Sequence, residues 1–184
     1  MKKFELTGEF VTNIFGKKLF RIRALVAFGD VEAGELGGYV EKEENLSDDG
    51  NAWVSGNARV SGDARVSGNA QVSGNAWVSG NARVSGDAWV SGNARVSGNA
   101  QVFGNARVSG DDDILQITGL GTVHRTTTAF RTPDGVRIVC GCFYGDLDAF
   151  REQVKNTREG KVQREYLAFA DLIEIYFREE EEDE

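Results

Sequence analysis

Proline and histidine occur once each, as Pro133 and His124, and cysteine twice, as Cys140 and Cys142. A lone histidine excludes any mechanism that needs two imidazoles. The cysteines are one residue apart, too close to staple distant segments, and they fit a reduced cytoplasmic protein. No apolar run approaches the roughly 18 residues that span a bilayer, so no membrane partner is expected. The opening Met1-Lys2-Lys3-Phe4-Glu5-Leu6 leads into alternating sequence, unlike the apolar core of a signal peptide. Cations are short too: 21 Lys plus Arg face 29 Asp plus Glu, a net charge of −8. Nucleic acid held by bulk charge is therefore not an expected partner. Hydrophobic residues make up 40% of the 184, enough for a core, which sets wholesale disorder aside. That length suits one domain or two small units.

Glycine, at 23 residues, is what the chain has in plenty, and it is periodic. From Val54 to Val108 a valine stands at every sixth position, opening the unit Val-Ser-Gly-(Asn/Asp)-Ala-X. Ten such valines follow one another without a break, except that Phe103 replaces the serine in one unit and Asp112 the alanine in the last. A period of six fits neither the 3.6-residue helix nor a hairpin meander, whose strands need about five or six residues plus turns. It does fit one short flat side and one corner. Alanine, and valine two places later, point inward; X between them points out; Ser-Gly-Asn turns the corner, where Gly and Asn tolerate positive φ. Three sides close a coil of 18 residues, and coils stack at about 4.8 Å with parallel hydrogen bonds.

These units resemble the hexapeptide repeat of left-handed parallel β-helices, closely over residues 51–110. The left hand is what the resemblance implies; general crossover statistics favour the right. The stretch Gly34-Glu35-Leu36-Gly37-Gly38-Tyr39-Val40 to Ser47, followed by Gly50-Asn51-Ala52-Trp53-Val54, looks like the entry segment of bacterial and phage hexapeptide proteins of the YdcK type. Those are commonly described as acetyltransferase-like. Stacking by 18 predicts the outward ladders Trp53-Gln71-Trp89-Arg107, Arg59-Trp77-Arg95 and Arg65-Arg83-Gln101. Trp77 would have an arginine above and below it, within reach of its indole face. The third ladder is wholly polar. The first two carry apolar area that a bare prism would expose, so flanking segments or a sister subunit are expected to cover part of them. Trp53, Trp77, Trp89, Arg59, Arg95, Arg107 and Phe103 are the interface candidates. Corner ladders of Asn and Asp would pair amides up and down, as in cross-β stacks, and make a poor calcium site.

The flanks are expected to protect the ends of the shaft. Residues 1–50 form an N-terminal cap, with strands at Lys3–Thr7 and Phe20–Leu25 as a hairpin and an irregular entry coil. The β-helix covers 51–112. A C-terminal α+β domain follows at 113–178, with strands Ile114–Leu120, Thr126–Arg131 and Val136–Phe143. Its first helix is capped by Asp146 or Asp148. A second, over about residues 162–177, places Val162, Tyr166, Phe169, Ile173 and Tyr176 on one face. That unit resembles a short domain appended to such arrays in phage-encoded proteins. The tail at 179–184, all acidic, is expected to fray. Net charge is −3 over residues 1–50, +3 over 51–110 and −8 over 111–184.

Hexapeptide-repeat enzymes are mostly acyltransferases, commonly trimeric, with acyl-coenzyme A between prisms and a histidine base. The array here holds no histidine and no inserted loop to carry one; His124 lies beyond it and reads as an ordinary loop or strand residue. Nothing would raise the pKa of Asp63 or Asp87 at a solvated corner. Cys140-Gly141-Cys142 on a strand would send both thiols to one face, where buried thiols outrank a zinc site or a nucleophile. No catalytic residue, metal or cofactor is expected, acetyl-coenzyme A entering only with the acyltransferase reading. The leading expectation is a non-catalytic scaffold that binds a protein or itself, a homotrimer being one form. The alternatives are a hexapeptide-class acyltransferase and a phage-type inhibitor of a host defence enzyme.

Overall fold

The computed structural model describes residues 2–178. The chain divides into two compact units, Met1–Asp111 and Asp112–Glu184. The first opens with β1 (Phe4–Thr12), β2 (Lys18–Ala24) and β3 (Leu36–Val40). Ten two-residue strands follow, β4 to β13: Trp53–Val54, Arg59–Val60, Arg65–Val66, Gln71–Val72, Trp77–Val78, Arg83–Val84, Trp89–Val90, Arg95–Val96, Gln101–Val102 and Arg107–Val108. They sort into three parallel ladders, β4-β7-β10-β13, β5-β8-β11 and β6-β9-β12, which are the three sides of a parallel β-solenoid. The register is 18 residues, pairing Trp53 with Gln71 and Trp89 with both Gln71 and Arg107.

Every repeat valine and alanine from Ala52 to Val108 is buried. The corner glycines from Gly50 to Gly104 have φ between 58° and 73°, which only glycine adopts cheaply. Space forbids a side chain as well: a Cβ on Gly80 would lie 2.9 Å from the Gly98 backbone nitrogen. Substitution at such a corner therefore strains the turn and pushes the coils apart.

The N-terminal hairpin joins the shaft through a shared sheet. β1 pairs with β2 and β2 with β3, both antiparallel, and β3 then joins β5 in parallel, Tyr39 opposite Arg59. One side of the prism thus continues into a six-stranded sheet, β1-β2-β3-β5-β8-β11. Hydrogen bonds from this N-terminal cap close the end of the shaft. Each coil donates its N–H groups to the next, as from Trp53 N to Ala70 O at 3.0 Å, so the first coil has carbonyls with no earlier coil to serve them. On one side the β3 segment supplies backbone donors, Tyr39 N to Ala58 O (2.9 Å) and Glu41 N to Val60 O (3.0 Å). On the second, Asn45 Nδ2 reaches Gly62 O (3.0 Å) and Ala64 O (2.8 Å), and Ser47 N reaches Val66 O (2.9 Å). On the third, Lys3 Nζ reaches Gly50 O (3.2 Å) and Ala52 O (2.9 Å). A buried carbonyl left without a donor costs about 1–3 kcal/mol, so these two side chains complete the fold.

The second unit holds β14 (Ile114–Leu120), β15 (Arg125–Thr132), β16 (Gly135–Cys140), β17 (Phe143–Gly145), α1 (Leu147–Thr157) and α2 (Gly160–Phe177). The strands form one antiparallel sheet in chain order. The expected third strand is two, because Gly141 (φ +64°) and Cys142 make a tight turn that pairs Cys140 with Phe143. Asp146 caps α1, accepting from Ala149 N at 2.8 Å. The buried stripe of α2 is Tyr166, Phe169, Ala170, Ile173 and Phe177. Phe177 takes the place expected of Tyr176, which is exposed, because the 3.6-residue period carries the stripe from 173 to 177. These side chains pack with Ala129, Ile138, Phe150 and Val154 as the core of the unit. The acidic run at 179–184 lies outside the described residues.

Candidate functional site

The outward ladders are in the expected register, and what covers each side chain differs sharply. Trp53 is only 2% exposed. Phe28 meets it edge-on, ring centroids 5.4 Å apart, and Lys3 Nζ sits 4.6 Å from the centroid of that same Phe28 ring. A Cβ on Gly37 would lie 2.7 Å from the Trp53 indole and 2.5 Å from Ile22, so glycine there lets the chain lie flat on the ring. The indole Nε1 has no acceptor, and apolar burial alone holds the ring in place. Trp53 is therefore covered by the chain's own N-terminal segment.

Trp89, two coils along the same ladder, is 53% exposed. Arg107 lies over its ring, guanidinium carbon 5.1 Å from the centroid. Arg107 Nη1 donates to the carbonyls of Asp87 (3.0 Å) and Ala106 (3.0 Å), which pins the guanidinium flat. Around this pair runs an open groove of about 270 Å³, walled by Gly29, Asp30 and Val31 and floored by Asn51, Asn69, Gln71 and Asp87. Its polar groups are fixed: Asn69 Nδ2 donates to Asp87 Oδ1 at 2.9 Å, and Gln71 Nε2 to Asn51 O at 2.9 Å. The wall belongs to the loop after Phe28, the residue that seals Trp53.

On the neighbouring side Arg59 is half-buried and lies over Trp77, 5.3 Å from the ring centroid. Arg95 is exposed, its backbone N–H held by Asp111 Oδ1 at 3.0 Å, and Phe103 is half-buried. The corner amides bond between coils, Asn57 to Asn75 and Asn75 to Asn93 at 3.3 Å each, and Asn81 to Asn99 at 3.1 Å.

The residues weighed for chemistry lie apart. The Lys42 ammonium, 2.6 Å away, holds the Asp63 carboxyl below the usual carboxylate range, the opposite of what a general base needs. His124 stands in an exposed turn with φ +48°, its Nδ1 3.2 Å from Gly119 O. Cys142 is exposed in the turn after β16 while Cys140 is half-buried and accepts from Thr127 Oγ1 at 3.3 Å. The two thiols do not lie along one continuous strand as the sequence suggested. Among the described residues no group of three or more His, Cys, Asp and Glu could hold a metal, and no helix is long and apolar enough to cross a membrane. Lys3 and Asn45, which close the first coil, escaped sequence reasoning. Their only signal is polarity beside apolar neighbours, Phe4 and Leu46.

A shaft of stacked hexads with a ladder of aromatic and cationic side chains defines a β-solenoid repeat scaffold. Residues 52–111 match the family described as YdcK Beta solenoid repeat, in overlapping segments from 52–68 through 58–74, 64–79, 70–86, 76–92 and 88–102 to 100–111. That stretch of the chain belongs to this repeat family. No curated protein matches the chain.

Proposed function

We propose that the solenoid is a rigid docking scaffold and that a protein partner seats on the Trp89–Arg107 face. One observation carries the reading: an ordered tryptophan stands half-exposed in a groove, on the same ladder where its counterpart is sealed. Exposed aromatic and arginine side chains are the usual anchors of protein interfaces. Backbone bonds hold the Arg107 guanidinium before any partner arrives, so little ordering is left to do on binding. The free thiols Cys140 and Cys142 support a reducing compartment, the cytoplasm.

The test compares Trp89→Ala with Arg65→Ala, which alters the polar third side. Self-association is read by light scattering across a concentration series, and capture of another protein by pull-down from a bacterial lysate. Assembly or capture should be lost in Trp89→Ala and kept in Arg65→Ala. Equal behaviour of the two variants would count against it. Acetyl-coenzyme A should leave the backbone amides of residues 51–110 unmoved; clear shifts there would revive the acyltransferase reading.

A further inference from the structure

We infer that the C-terminal unit carries a binding cleft for a small phosphorylated organic molecule. The cleft measures about 600 Å³, and Arg125, Lys155 and Arg158 line it together with Thr122, Val162 and Tyr166. These cations come from three places: the start of β15, the last turn of α1, and the link between α1 and α2. Elsewhere in the unit Arg131 pairs with Asp113 (3.2 Å), Arg151 with Asp171 (2.8 Å) and Glu174 (2.6 Å), and Arg178 with Glu174 (3.3 Å). Lys161 pairs with Glu165 at 3.5 Å. Among the described residues Arg125, Lys155 and Arg158 have no carboxylate within 4.0 Å. Arg137 and Arg164 also lack one, but they do not line the cleft.

The negative end of α1 accounts for a cation at Lys155 and favours one at Arg158. It does not account for Arg125, which reaches in from the sheet. That guanidinium lies against Gly141, whose missing Cβ leaves it room. Like charges around one cleft repel, so three cations that outnumber its lining carboxylate Glu159 and pair with none are stabilised by an anion placed among them. Arginine forks favour phosphate oxygens, two at a time. Apolar surface lines the cleft too, from Val123, Val162 and the buried Tyr166, whose hydroxyl donates to Leu120 O at 3.4 Å. That surface suits an organic moiety attached to the phosphate. Glu159 also lines the cleft and Glu165 accepts from Gly121 N at 3.1 Å; these carboxylates offset part of the positive charge and leave the three cations in excess. The 17 acidic residues in 111–184 disfavour a nucleic-acid strand.

The full chain, ¹⁵N-labelled, would be titrated with ADP, inorganic pyrophosphate and adenosine while amide shifts are followed. ADP should move the amides of residues 121–125 and 155–159, pyrophosphate should move them more weakly, and adenosine should not. The double variant Arg125→Gln/Arg158→Gln should weaken ADP at least tenfold with its spectrum otherwise intact. Arg65→Gln/Arg83→Gln, the same charge change on the solenoid, should leave binding unchanged. Absence of shifts at millimolar ADP, or equal weakening by both double variants, would overturn the assignment. So would a single-stranded oligonucleotide that shifts the same amides at lower concentration than ADP.

Discussion

Trp53 and Trp89 share one ladder, one repeat and one register, yet 2% of the first and 53% of the second meets solvent. The repeat is indifferent to which of them is buried; the neighbouring segment decides. Phe28 and Gly37 lie against Trp53, and the loop that follows Phe28 forms the wall of the groove at Trp89. The molecule thus displays one solution to covering an indole on this face and offers a second indole for a partner to cover.

The largest expected effect follows from Trp53→Ala. Removing a sealed indole should cost about 3–5 kcal/mol in urea unfolding, whereas a loss near that at an exposed residue would blur the comparison. Gly37→Ala attacks the cover itself. Its Cβ would lie 2.5 Å from Val54 O, and a destabilisation of about 1–3 kcal/mol is expected, with Trp53 fluorescence shifted toward that of wet indole. Lys3→Met keeps length but removes the donor to Gly50 O and Ala52 O. About 1–2 kcal/mol should go, and hydrogen exchange should quicken in the first coil before the later ones.

Glu41 gives a pH test at the same end. Lys17 Nζ (2.8 Å) and Gly62 N (2.7 Å) both donate to its carboxylate, and together they hold its pKa below the ordinary glutamate range. The folded value lies under the unfolded one. The stabilisation is therefore complete above the unfolded value and is lost as pH falls through the folded one. Glu41→Gln should flatten that acid limb by about 1 kcal/mol. The smallest effect belongs to Trp89→Ala: within about 0.5 kcal/mol in stability, but with partner capture or self-assembly gone.

Much of this was legible in the chain. A valine every six residues admits one packing, and the ladders, corners and register all follow from it. The C-terminal strands and helices were readable from alternation and from a capping Asp146 or Asp148, but Phe143 was absorbed into the strand before it because Gly141 and Cys142 hide the turn. Trp53 looked identical to Trp89 because its cover comes from residues 16 to 25 positions away that carry no repeat. Lys3 and Asn45 have meaning only where the stack starts and carbonyls are left over. Arg125, Lys155 and Arg158 are up to 33 residues apart, and only the sheet and helix bring them to one cleft.

Hydroxyl-radical footprinting of the two tryptophans, on dilute pure chain and again in bacterial lysate, is the most direct test. Trp53 should resist oxidation in both settings, while Trp89 should oxidise readily in the pure chain and be shielded in the lysate. Equal reactivity of the two rings, or an unshielded Trp89 in every setting, would contradict the account.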